Sequence, residues 1–151
     1  MKRPLMILVL TLILHSCGGL PECSNEKLTE LKISWGEINN ISGVREGYLI
    51  NYKAEVFSIY QDSAMREPQL KKEGTLDDES FCAALRLMRD HALNNQAVLV
   101  PADYQHYLEY SNPLFKFYHL GKWNPKYETK ANSSYIRAFD SLNLILEENI
   151  H

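Results

Sequence analysis

Three histidines, three cysteines and a dense set of aromatic rings are the residues of this chain that could do chemistry. His91, His106 and His119 are the internal histidines of the stretch after residue 27, and none falls in a HExxH or similar metal-ligand spacing. Asp103 stands three residues before His106, a pair that could serve acid–base work. In a strand, however, that spacing puts the two on opposite faces. Asp90 and His91 are neighbours near the end of an expected helix, where a histidine complements the dipole. Ser133 and Ser134 read as helix caps rather than nucleophiles, and Asp77, Asp78 and Glu79 as a helix's first turn rather than a calcium loop. No GxSxG elbow, phosphate-cradling glycine loop or dinucleotide fingerprint occurs. The expectation is a non-catalytic chain with no metal and no cofactor.

The cysteines carry a different message. Lys2 and Arg3 precede the apolar run Pro4–Leu14, after which Ser16 leads into Cys17. Positive start, apolar core and small residue are the layout of a secretory signal peptide. The run is 11 residues long, against the ~20 of a membrane-crossing helix. Leu14, Ser16 and Cys17 resemble the lipobox of bacterial lipoproteins, although His15 stands where that family has a small or apolar residue. The resemblance covers residues 1–17. It implies cleavage before Cys17 and acylation of that residue, so that the membrane is the first partner. Gly18 rather than aspartate follows Cys17, which by the same resemblance favours the outer over the inner membrane. If Cys17 is acylated, Cys23 and Cys82 remain. They are either a disulfide, permitted in an exported compartment, or two free thiols with Cys82 as a small hydrophobe.

Composition bounds the rest. Loss of residues 1–16 removes Lys2 and Arg3 and no acid, moving the formal charge from −3 to −5. A mildly acidic chain with scattered lysines lacks the concentrated basic face of a nucleic-acid binder. The expected organisation is a signal peptide at 1–16, a lipidated N-terminus and tether at 17–27, and a single domain at 28–151.

Elements must position whatever this domain uses. Thr29, Leu31, Ile33 and Trp35 alternate with polar residues, which predicts a strand over 28–35; 36–46 reads as a loop. Residues 48–50 and 55–60 predict a hairpin, followed by a polar connector over 61–74. Thr75 with Asp78 predicts a capped helix whose buried stripe is Phe81, Leu85, Met88 and Ala92. Residues 104–110 and 114–120 predict a second hairpin, 122–130 an irregular stretch, and Asn132–Ser134 the cap of a last helix. That helix has Tyr135, Phe139, Leu142 and Leu146 as its buried stripe. The fold class expected is α+β: a small antiparallel sheet built from hairpins with two helices packed on it.

Aromatic density is the remaining signal. Nine of the chain's 16 aromatics fall within residues 104–135, too many for one core face if the sheet is covered on one side only. Tyrosine and tryptophan are enriched at interfaces. Trp123 and Tyr127, in the irregular stretch, and Tyr107, on the opposite strand face from Tyr104 and Tyr110, are therefore the expected partner-binding residues. The functional expectation is an envelope lipoprotein that binds another envelope protein or a glycan. Alternatives are an inhibitor or immunity lipoprotein that neutralises a toxin or hydrolase, and a hydrolase assembled from residues such as Asp103 and His106.

Overall fold

The computed structural model describes Cys23 and residues 29–150. The expected signal peptide, Cys17 and the tether other than Cys23 lie outside the described residues. The fold is α+β. Strands β1 (Lys32–Asn39), β2 (Val44–Asn51), β3 (Glu55–Gln61) and β4 (Gln69–Thr75) precede helix α1 (Asp78–Asn94). Strands β5 (Val98–Leu99), β6 (Tyr104–Asn112) and β7 (Phe117–Trp123) and helix α2 (Ser133–Ile150) follow. The seven strands form one sheet in the order β4-β3-β2-β1-β6-β7-β5, antiparallel except where β5 runs parallel to β7.

Both helices cover the same sheet face. Alternation in β1 sends Ile33 and Trp35 to that face, and register places Ile50 opposite Ile33 and Leu108 opposite Trp35. All four are buried, together with Phe81, Ala84, Leu85, Met88 and Ala92 of α1 and Tyr135, Ala138, Phe139, Leu142 and Leu146 of α2. Both expected helix stripes therefore lie in the core. Asp77, rather than Thr75, caps α1: its carboxylate accepts the Ser80 backbone N–H at 2.7 Å. That contact, made at the helix's N-terminal dipole end, holds the Asp77 carboxyl below its ordinary range. Cys23 is joined to Cys82 near the start of α1, so the bridge is the alternative this structure contains.

Three segments depart from the sequence expectation. The loop expected at 36–46 is mostly strand, because Gly36 and Gly47 face each other across β1 and β2 and let the two backbones close up. Both hold φ near +155°, and a Cβ on either would lie 2.1 Å from a carbonyl oxygen of the other strand. The polar connector contains β4, whose lysines and glutamate are tolerated because it is the sheet's exposed edge. The irregular stretch starts later than expected, since β7 continues through Gly121 to Trp123. Gly121 is no loop signal here: the Tyr135 ring fills the place of its side chain, with Cε1 2.0 Å from where a Cβ would stand.

Candidate functional site

The three expected contact residues separate. Trp123 is fully buried, with Tyr135, Phe139 and His106 rings at 5.6–5.8 Å, so it is a core residue and not a surface anchor. The cause is strand alternation: His119, Gly121 and Trp123 share the helix-covered face, and the first half of α2 lands on them. Tyr107 is also fully buried, though on the sheet face without helices. Gly36 and Gly47 leave room on the neighbouring strands, the Tyr107 hydroxyl reaching to 2.8 Å from where a Gly47 Cβ would sit. The Arg45 guanidinium covers its ring at 4.2 Å and pairs with Glu109 at 3.3 Å. The Arg45 side chain and the close approach of the strands at Gly36 and Gly47 thus enclose Tyr107 on this face. Only Tyr127 stays on the surface, 67% exposed, in a loop that Asn132 ties down by donating to the Tyr127 carbonyl.

The titratable residues regroup as well. His106 does not pair with Asp103; its Nε2 lies 3.4 Å from Glu37 Oε1, because register sets Glu37 beside His106 on the helix-covered face. The Phe139 ring stacks on the imidazole, centroids 4.5 Å apart. Burial pushes the His106 pKa down, against the opposing pull of Glu37 and Asp140. The Tyr135 hydroxyl donates to the Gln96 carbonyl at 2.6 Å and accepts from His119 Nε2–H at 2.7 Å, so His119 is structural.

One layer of the sheet draws these observations together. Cross-strand register aligns Tyr60, Glu46, Glu37, His106 and Trp123 across β3, β2, β1, β6 and β7. Helix α2 covers the β6–β7 end of this layer with Phe139 and leaves the β1–β3 end open. The open end is a cavity of about 420 Å³, walled by Trp35, Tyr48, Tyr60 and Phe139, with Glu37, Glu46 and Asn143 contributing polar groups. That volume lies within the range of small-ligand sites. Trp35 is held rigidly: its indole N–H donates to Asn143 Oδ1 at 2.8 Å, and its ring centroid lies 5.8 Å from that of Tyr48. A smaller concavity of about 220 Å³ adjoins it, sharing Glu37 and Glu46 and adding Asn39, Ser42, Val44 and Tyr104. Burial and the nearby Glu37 and Glu46 carboxylates push the Tyr104 hydroxyl up to about 12.

The two glutamates stand directly opposite each other in the β1–β2 register. No lysine or arginine pairs with either among the described residues, and Arg45 points to the other sheet face. The groove is therefore acidic and aromatic together. No three His, Cys, Asp or Glu side chains converge as metal ligands among the described residues. None of Glu37, Glu46, Tyr48, Tyr60, Phe139 or Asn143 was singled out as a site residue in the sequence. Continuing the alternation from Ile33 and Trp35 to Glu37 would have marked the first of them. Comparison with protein-family models, with curated proteins and with solved structures finds no match to this chain.

Proposed function

We propose that this chain is a lipid-anchored component of a bacterial cell envelope, held at the membrane through Cys17. In this reading it binds another envelope protein or a glycan without catalysing a reaction. The observation that carries the binding reading is the open cavity walled by Trp35, Tyr48, Tyr60 and Phe139, since rigid aromatic surface around a concavity is what recognition sites use. The aromatic contact surface thus moves from the 122–130 region to the groove beside α2. Among the described residues no helix is long and apolar enough to cross a membrane, and the proposed anchor requires none.

Tyr60 is the residue to test, because it is 39% exposed and forms a cavity wall without filling the core. Tyr60→Ala is expected to leave the melting temperature nearly unchanged. Retention of the envelope partner on the detergent-extracted chain should fall by about thirtyfold, as for an interface residue that contributes some 2 kcal/mol. Unchanged retention would remove the groove from the reading. If the retained partner is a hydrolase or toxin whose activity drops on binding, the inhibitor form of the proposal is the correct one.

A further inference from the structure

We infer that the groove accepts an alkylammonium group of the lysine side-chain type, carried by an extended stretch of polypeptide. This inference rests on the binding reading above and names the ligand class for the same site. Charge complementarity carries it. Glu37 and Glu46 face one another across an antiparallel pair, an arrangement that costs stability because the like charges repel. No lysine or arginine offsets that repulsion among the described residues, and His106, whose Nε2 lies 3.4 Å from Glu37, is held towards its neutral form by burial. A cation placed between the two carboxylates would convert the repulsion into two attractive contacts.

The walls decide what kind of cation. An inorganic ion keeps its stability by surrounding itself with six or more oxygens, which two carboxylates between aromatic rings do not supply. An organic ammonium tolerates partial dehydration, and its methylene stem gains from contact with Trp35, Tyr48, Tyr60 and Phe139. The shape decides the carrier. The larger cavity adjoins the smaller one at the shared glutamates, where Asn39, Ser42 and Tyr104 offer polar groups. One side chain in the larger cavity and its attached backbone along the smaller one occupy both, whereas a free amine occupies one.

The test uses the detergent-solubilised full chain and the capped peptide Gly-Gly-Lys-Gly-Gly, followed by amide NMR shifts. The lysine peptide is expected to shift the amides of Glu37, Glu46 and Tyr60, with affinity falling as salt is raised. The same peptide with norleucine in place of lysine, which keeps the stem and loses the charge, should bind at least about tenfold more weakly. Glu37→Gln and Glu46→Gln should each weaken the lysine peptide by about tenfold while holding or raising the melting temperature, since each relieves the like-charge pair. Equal affinity for lysine and norleucine peptides would overturn the ammonium assignment. Equal affinity for n-butylammonium and the lysine peptide would overturn the polypeptide carrier. The two readings fail separately: loss of partner retention in Tyr60→Ala with no lysine-peptide binding leaves the binding module standing and its ligand class wrong. Lysine-peptide binding with full retention in Tyr60→Ala means the reverse.

Discussion

His91 is where the folded molecule is vulnerable to acid. Its side chain is 7% exposed, its Nε2 is buried without a hydrogen-bond partner, and its ring lies edge-on to Tyr135 at 4.3 Å. The sequence suggested a cationic histidine stabilising the end of α1. The structure instead buries a neutral ring, with the Asn95 amide 3.3 Å from Nδ1. Burial, and secondarily the neighbouring His119, lower its pKa from 6.5 to about 4. A histidine whose folded pKa is depressed binds its proton more tightly when unfolded. Its stabilising contribution is therefore full above pH 6.5 and is lost as the pH falls from 6.5 towards 4. Urea unfolding at pH 7 and pH 4.5 should show the drop, and His91→Leu should flatten it; an identical pH profile in that variant would assign the loss elsewhere. Trp123 makes the complementary case for a residue whose role its sequence neighbours disguise. Gly121 and Pro125 on either side suggest a surface loop, yet the ring is fully buried. Trp123→Ala is expected to cost about 3–5 kcal/mol and to lower the melting point by about 10 °C or more.

At the scale of elements, legibility followed periodicity. The stripes of α1 and α2 were readable because each buries one face against the sheet, and 3.6-residue spacing reports that directly. The hairpin β2–β3 was readable despite a turn without glycine, since Ala54 takes the left-handed position at φ 61° and Asn51 accepts the Lys53 and Glu55 amides. Strand β4 was not readable because an edge strand facing water on one side need not be apolar. Strand β5 spans two residues and owes its place to pairing with β7, a long-range effect with no local signal. The groove was hidden for the same reason as the end of β1. Glycine at 36 reads as a breaker, whereas its role is to let β1 and β2 approach, which then sets Glu37 against Glu46. Gly47→Ala tests this directly. Its Cβ would meet the Trp35 carbonyl oxygen in a backbone conformation that L-residues avoid. A loss of about 2–5 kcal/mol is expected by denaturant unfolding, with Trp35 fluorescence perturbed as the register shifts. A near-neutral effect would show that the strands can separate without cost.

For the whole molecule, the disulfide and the proposed acyl anchor have separable consequences. The Cys23–Cys82 bridge spans 59 residues of sequence and fastens the start of the described chain near the first turn of α1. Closing a loop of that size stabilises by about 4 kcal/mol in the chain-entropy account. Cys17 stands six residues before Cys23, which an extended chain covers in about 20 Å. An acylated Cys17 would hold the bridge, and with it one end of α1, within that distance of the lipid surface. Stability and location should then respond to different cysteines. The paired variant Cys23→Ala with Cys82→Ala is expected to melt well below the parent while still partitioning into membranes. Cys17→Ser should do the opposite, leaving the melt unchanged while releasing the domain from membranes or blocking its maturation. Fractionation of cells carrying each variant, with melting curves on the same preparations, checks both. Membrane partition retained in Cys17→Ser would remove the lipid anchor and leave the groove without a fixed relation to the membrane. A melt unchanged by loss of the bridge would show that the core of α1, α2 and the sheet holds the fold unaided.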